Sequence, residues 1–377
     1  MEHKTKWVIG IIVIVVLIAL VWGNKKTVSN EPIKIGWVSA LTGSVAKYGA
    51  YEAGMLAVQD INDKGGINGR KLELIVEDGK CSPIDAVTAV NKLINVDNVK
   101  VILGGHCTPE SVTIAPIAEK NKVIMLASIT TSPALQTGDY IFRTSPVSTT
   151  QSIMIADFAK NNLSKNKMAV IYELTDYARP IAEKVKEQFI KDGGDVPVFE
   201  SYVTGTADFR TLLAKVKAAN VDSLFLSAQT PDAVLNLMKQ VKEMGLKVQL
   251  LGNDVAGNQA VIDKIPNLYE GFFLATPNFD VNSPKTKAFV DEYNTKYSTQ
   301  TLPYGIWTAE SYDGVIIAGD MIKKCGTTDT ECMKKFLHNI KDYEGVSGKI
   351  TINEKGDGVR EYSVKVVKNG IITNYKQ

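Results

Sequence analysis

Residues 33–76, IKIGWVSALTGSVAKYGAYEAGMLAVQDINDKGGINGRKLELIV, decide the fold. They open on a short apolar run, 33–39, which reads as a strand. Over 48–62, Tyr51, Met55 and Val58 fall at i, i+4 and i+7, the spacing of one helix face. Gly65-Gly66 follows, and glycine just past a helix supplies a left-handed cap. A second strand, 71–76, comes next. Strand, helix, strand is the unit of a parallel sheet covered by helices.

The alternation continues through helix 84–95, strand 99–103, helix 109–120 and strand 123–127. It restarts near Lys167, with strands 168–172, 196–202, 221–226 and 248–251. Ile181, Val185 and Phe189 mark one helix face there, and Val234, Met238 and Val241 another. The junctions also match: NDKGG at 62–66 and IKDGG at 190–194 each end a helix on Gly-Gly. The repetition predicts two similar α/β lobes. The tail differs, with helices over 284–297, 308–324 and 329–340, then strands over 348–352, 362–367 and 371–375. Helices followed by late strands predict that the chain crosses between lobes more than once.

Composition narrows the function. The 377 residues are 45% hydrophobic and 22% charged, which excludes a disordered chain and a polytopic membrane protein. Lys+Arg is 43 against Asp+Glu 41, so no basic excess suggests nucleic acid as a partner. Three histidines (His3, His106 and His338) and four cysteines leave few ways to build a transition-metal site or a Cys/His catalytic pair. No GxSxG, P-loop or HExxH occurs. No catalytic residue, cofactor or metal ligand is expected, and an enzyme has little support. His106 reads as structural.

Residues 7–23, WVIGIIVIVVLIALVWG, form an uncharged run between Lys4 and Lys6 on one side and Lys25 and Lys26 on the other. A spanning helix needs about 17–25 apolar residues and an export signal about 7–15. Both readings, anchor or cleaved signal, stay open, and a buried core helix is the weaker third. Val21 and Gly23 would allow cleavage before Asn24, and the absence of Cys there excludes lipid attachment. Residues 24–32 read as a linker. Either reading sends the rest of the chain out of the cytoplasm, where an even cysteine count suggests disulfides. Four cysteines allow three pairings. Cys325 and Cys332 flank a local loop, and Cys81 and Cys107 would then pair; four free thiols in a cytosolic protein are the alternative.

One local signal recurs: Ser or Thr, then Pro, then a helix. It occurs at Thr108-Pro109, Ser132-Pro133 and Thr230-Pro231, with Ser82-Pro83 and Ser145-Pro146 similar. Ser or Thr caps a helix and Pro fits its first turn. In an open parallel sheet these starts lie at the carboxyl ends of the strands, where ligands bind. Several facing one crevice would suit a carboxylate or phosphate. Taken singly, each is ordinary capping.

Residues 33–83 together with GGHCTPES (104–111), SITTSPAL (128–135), Asp176-Tyr177, FRTLLAKVKAANVDSLFLS (209–227) and YEGVSGKITINEKGD (343–357) resemble the leucine/isoleucine/valine-binding protein family. These are type I periplasmic solute-binding proteins of ABC transporters. The resemblance runs from about residue 33 to the carboxyl end. It implies an α/β fold of two Rossmann-like lobes joined by three crossovers, here preceded by the N-terminal hydrophobic helix. The lobes would be 33–146 plus 277–344 and 147–276 plus 345–377. It also implies a Cys81–Cys107 disulfide. An amino acid's carboxylate would be held by groups matching Thr108, Ile129 (backbone only) and Thr131. Its ammonium would meet Asp254 in LLGNDVAG, with Tyr177 reaching in from the second lobe and Tyr48 lining the side-chain pocket. Gln229 stands where branched-chain members have Tyr, and Asp254 is a methylene shorter than the Glu often found there. Asp254 could instead cap a helix near 256–264.

The expectation is therefore an exported, monomeric solute-binding protein that hands a small amino acid to ABC permease subunits. The N-terminal segment would tie it to the membrane. A ligand-sensing receptor module, or a binder of an amide or urea, is the alternative.

Overall fold

The computed structural model describes residues 31–376. The expected anchor or signal at 7–23, and most of the linker at 24–32, lie outside the described residues. Among the described residues no helix is long and apolar enough to cross a membrane.

The first sheet contains β1 (Ile33–Ser39), β2 (Leu72–Asp78), β3 (Val101–Leu103), β4 (Ile124–Ala127) and β5 (Ile141–Arg143). Its order is β2-β1-β3-β4-β5, and every pairing is parallel. Parallel strands are covered on both faces, which is why β1 is almost continuously apolar. Its side chains alternate between the two cores. Trp37 joins one with helices Ala50–Asp63 and Ile306–Cys325, and Val38 joins the other with Pro83–Asn95 and Thr108–Lys120.

The second lobe repeats the plan with β6 (Lys167–Glu173), β7 (Asp195–Tyr202), β8 (Ser223–Ser227), β9 (Gln249–Gly252) and β10 (Phe273–Pro277). The chain then returns to the first lobe for helices Pro284–Tyr297, Ile306–Cys325 and Thr330–His338. A small sheet follows, of β11 (Tyr343–Gly345), β12 (Gly348–Ile352) and β13 (Gly358–Val359). It ends in the second lobe on β14 (Tyr362–Lys368) and β15 (Ile371–Asn374), which add antiparallel to β10. The large sheet runs β15-β14-β10-β9-β8-β6-β7.

The chain thus crosses three times, and the crossings lie side by side. Pro146 bridges Gly358, and the Asn278 N–H donates to the Glu361 carbonyl at 2.8 Å. Gly358 has to be glycine there, because a Cβ would stand 2.1 Å from the Thr144 carbonyl oxygen. Beside them the buried Arg360 pairs with the buried Glu310 at 2.8 Å. The last crossing falls later than the sequence expects. Residues 345–359, assigned to the second lobe from sequence, place Val346, Ile350 and Ile352 in the first lobe's core.

Several elements have no counterpart in the sequence reading, β11 and β13 among them. β5 is three residues long. Helix Thr149–Asp157 buries Gln151 and Ser152 beside Ile155 and so shows no apolar stripe. Helix Arg210–Ala218 buries only Leu213 and Val216. β10 reads FLATP, without alternation.

Candidate functional site

Each candidate residue leaves its sheet at the carboxyl end of a strand. Tyr48 follows β1, Thr108 follows β3, and Ile129 and Thr131 follow β4. In the second lobe Tyr177 follows β6, Gln229 follows β8 and Asp254 follows β9. Successive strands lie on opposite sides of β1 and of β6, the switch point where open α/β sheets bind ligands. All seven residues line one cavity between the lobes. Sequence reasoning missed Val45, Val255, Tyr304 and Trp307 there, and had set His106 aside as structural.

Tyr48 does not begin the long helix. It ends a single 3-10 turn, Ser44–Tyr48, and Gly49 at φ 72° bends the chain into helix Ala50–Asp63. A Cβ on Gly49 would stand 2.4 Å from the Tyr293 hydroxyl. The turn carries the Tyr48 ring over the cleft, stacked on Tyr304 at 4.2 Å and on His106 at 5.8 Å.

Asp254 is 7% exposed. Its carboxylate accepts from the Tyr177 hydroxyl at 2.5 Å, from Gln151 Nε2 at 3.0 Å and from the Tyr304 hydroxyl at 3.5 Å. No lysine, arginine or histidine pairs with it among the described residues. It does not cap the next helix, because Asn258 does that by accepting from the Ala260 N–H at 2.8 Å. Burial, and then the Asp254 charge, hold the Tyr177 and Tyr304 hydroxyls far above the usual phenol range, so both stay donors. A buried carboxylate met only by neutral donors leaves room for a cation, and without one its burial is unfavourable by several kcal/mol.

The opposing wall offers donors. Cys107, not Thr108, is the N-cap of helix Thr108–Lys120, with Thr108 and Pro109 in its first turn. That frees the Thr108 hydroxyl. Thr108 and Thr131 are buried residues whose hydroxyls make no hydrogen bond among the described residues, and Thr108 stands at a helix start, which favours anions. Ser132-Pro133 and Ser145-Pro146 start no helix, contrary to the sequence reading. The Ser132 hydroxyl donates to the Asp176 carbonyl at 2.7 Å, and the Ser145 hydroxyl to the Thr130 carbonyl at 2.9 Å.

Two buried acids brace these walls, and neither stood out in the sequence. Glu110 accepts from the Cys81 N–H at 2.9 Å and the Cys107 N–H at 3.0 Å, and burial pushes its pKa up to about 7. Glu173 accepts from the backbone N–H groups of Gln229 (2.8 Å) and Thr230 (2.9 Å) and from the Thr230 hydroxyl (3.1 Å). The Thr230 hydroxyl therefore serves Glu173 and does not cap its own helix. Cys81 is disulfide-bonded to Cys107, and Cys325 to Cys332, which excludes four free thiols. The lobes touch across the cleft. The Tyr48 hydroxyl donates to the Gln229 carbonyl at 3.0 Å, and Gln229 Nε2 to Cys81 Sγ at 3.3 Å.

The sequence profile of the periplasmic binding protein family matches residues 32–370. A leucine-, isoleucine-, valine-, threonine- and alanine-binding protein of Pseudomonas aeruginosa is 30% identical over 335 residues, covering 88% of each chain. The chain belongs to the Leu/Ile/Val-binding group of periplasmic binding proteins. Solved structures of the group superpose closely. The leucine-binding protein of Thermotoga maritima matches with a TM-score of 0.82 at 25% identity, covering 91% of this chain and 98% of that one. A branched-chain amino acid transporter substrate-binding protein of Streptococcus pneumoniae, in complex with isoleucine, matches with a TM-score of 0.81 at 26% identity, covering 90% and 97%. The fold is therefore the type I periplasmic binding protein fold expected from the sequence. These relatives are solute-binding proteins, not enzymes.

Proposed function

We propose that this chain captures a small amino acid outside the cytoplasm and delivers it to the membrane subunits of an ABC transporter. One observation carries the reading. Asp254 is buried at the cleft with neutral donors and no cation among the described residues, and it shares the cavity with the free hydroxyls of Thr131 and of Thr108 at a helix start. Opposite charges a few ångströms apart are what a zwitterion supplies. Its ammonium would take the Asp254 carboxylate beside the Tyr177 hydroxyl. Its carboxylate would take the Thr108 and Thr131 hydroxyls and backbone N–H groups near Ile129. Tyr48 and Gln229 would face its side chain.

Because the partners of the two ends come from different lobes, ligand contacts are complete only when the lobes meet. Ligand then favours the closed form by its extra contacts there, a hinge motion about the three crossings. The names of the relatives support amino acids as the ligand class.

Calorimetric titration of the whole chain against the twenty amino acids, an uncharged amide and urea tests this. Binding of at least one amino acid is the expected result. Binding of the amide or urea with none of the amino acids overturns the zwitterion reading.

A further inference from the structure

Two polar side chains that line the cavity stand outside the hydrogen bonds of Asp254. Gln229 is 7% exposed and His106 6%, and both line it. Gln229 Nε2 is used by Cys81 Sγ, but its Oε1 is buried without a hydrogen-bond partner. His106 faces Ser39 through Nδ1 at 3.4 Å, while its Nε2 is buried without a partner. The two side chains come from opposite lobes and meet around Tyr48. The ring of Tyr48 stacks on His106, its hydroxyl meets the Gln229 backbone, and the Cys81–Cys107 disulfide touches Gln229 and adjoins His106 in sequence.

Two buried, unpartnered polar atoms on side chains that line one cavity are unfavourable unless a ligand completes them. An apolar side chain there would leave both unsatisfied. We infer that Gln229 and His106 together read an uncharged, hydrogen-bonding side chain, a hydroxyl or a carboxamide, on the bound amino acid. The inference rests on the amino-acid reading above and refines it. Such a group carries both a donor for Gln229 Oε1 and an acceptor or donor for His106 Nε2, whichever tautomer the ring holds. A turned Gln229 amide would present Nε2 in place of Oε1 and still ask for a polar partner. Charged side chains fit less well. A carboxylate would face the Gln229 oxygen, and a cation would find no second carboxylate among the residues lining the cavity. The His106 ring stays neutral, since burial drives its pKa down to about 4, the Val45 backbone opposing.

The test uses pairs of equal shape on the whole chain. Threonine and valine differ by hydroxyl against methyl, and asparagine and leucine by carboxamide against isopropyl. Calorimetry should show the polar member of at least one pair binding about tenfold or more tighter, the effect of leaving buried groups unpaired. Gln229→Leu should bring that ratio to about one or reverse it. Valine and leucine binding as tightly as threonine and asparagine, or tighter, overturns the polar readout by Gln229 and His106 and leaves the amino-acid reading standing. If no amino acid binds, both fall. The unsubstituted comparison decides the matter even if the variant does not fold.

Discussion

The Tyr48 hydroxyl, carried by the first lobe, donates to the Gln229 carbonyl of the second at 3.0 Å. The bond joins residues 181 apart in sequence and is buried where the lobes meet. It belongs to the closed arrangement, since separating the lobes separates the pair. Tyr48→Phe keeps the ring stacked on Tyr304 and deletes the bond. A net contribution of about 0.5–1.5 kcal/mol should then be lost from closure. Calorimetry should show ligand affinity weakened by about two- to tenfold, and small-angle scattering should show a larger radius of gyration without ligand. Unchanged affinity and size would mean that the bond contributes nothing to closure.

Asp254→Asn should separate binding from stability. The carboxylate has three neutral donors and no cation among the described residues, so burying its charge disfavours the free protein. Asparagine removes the charge at nearly the same volume. The free variant should melt at the same temperature or higher. Ligand binding should weaken by about 2–5 kcal/mol, because the ammonium is left buried opposite a neutral amide. A lower melting temperature with intact binding would make Asp254 a structural residue.

Glu110 gives a pH dependence with a defined sign. Burial raises its pKa from 4.5 to about 7, so between those values the folded chain holds a proton that the unfolded chain releases. Stability then falls as pH rises from about 4.5 to about 7 and is flat beyond, by up to about 3 kcal/mol. His106 opposes this, since its pKa is lowered from 6.5 to about 4 and it favours the folded state more as pH rises through that window. Glu310, pushed up to about 8, acts in the same direction as Glu110. Subtracting the melting curves of Glu110→Gln from those of the unsubstituted chain isolates the first effect. The difference should favour the variant increasingly from pH 5 to pH 7. A flat difference would show that the backbone N–H groups of Cys81 and Cys107 keep Glu110 ionised throughout.

The strands and long helices of both lobes were legible because their signal is local. Tyr51, Met55 and Val58 mark a face wherever the helix goes, and a buried parallel strand such as β1 is apolar by necessity. The seven cleft residues came from a family resemblance, and their common cavity from the rule that ligands sit at strand ends. Glu173, Gln151 and Tyr304 could not be read this way. Gln151 meets Asp254 across 103 residues and Tyr304 meets it across 50, and such pairs leave no periodic trace. The Ser-Pro and Thr-Pro signals misled in part for a related reason. A hydroxyl that could cap its own helix is also free to serve a distant partner, as Thr230 serves Glu173 and Ser132 serves the Asp176 carbonyl.

The two disulfides should behave differently when removed. Cys81–Cys107 closes 26 residues and Cys325–Cys332 closes 7, so loop entropy alone assigns them about 3.5 and about 2.4 kcal/mol. The first also holds an unfavourable turn. Lys80 and Cys81 are both left-handed, at φ 51° and 58°, conformations that disfavour side chains with a Cβ by about 1–2 kcal/mol each. Releasing Cys81 lets that turn relax and removes the partner of Gln229 Nε2, while Cys107, the N-cap beside Thr108, loses its tether. The second disulfide ties two helix ends of the first lobe and contributes nothing to the cavity lining. Replacing Cys81 and Cys107 by alanine should therefore lower both the melting temperature and ligand affinity. Replacing Cys325 and Cys332 should lower the melting temperature less and leave affinity unchanged. Equal effects of the two pairs on affinity would show that the Cys81 turn does not position the cleft.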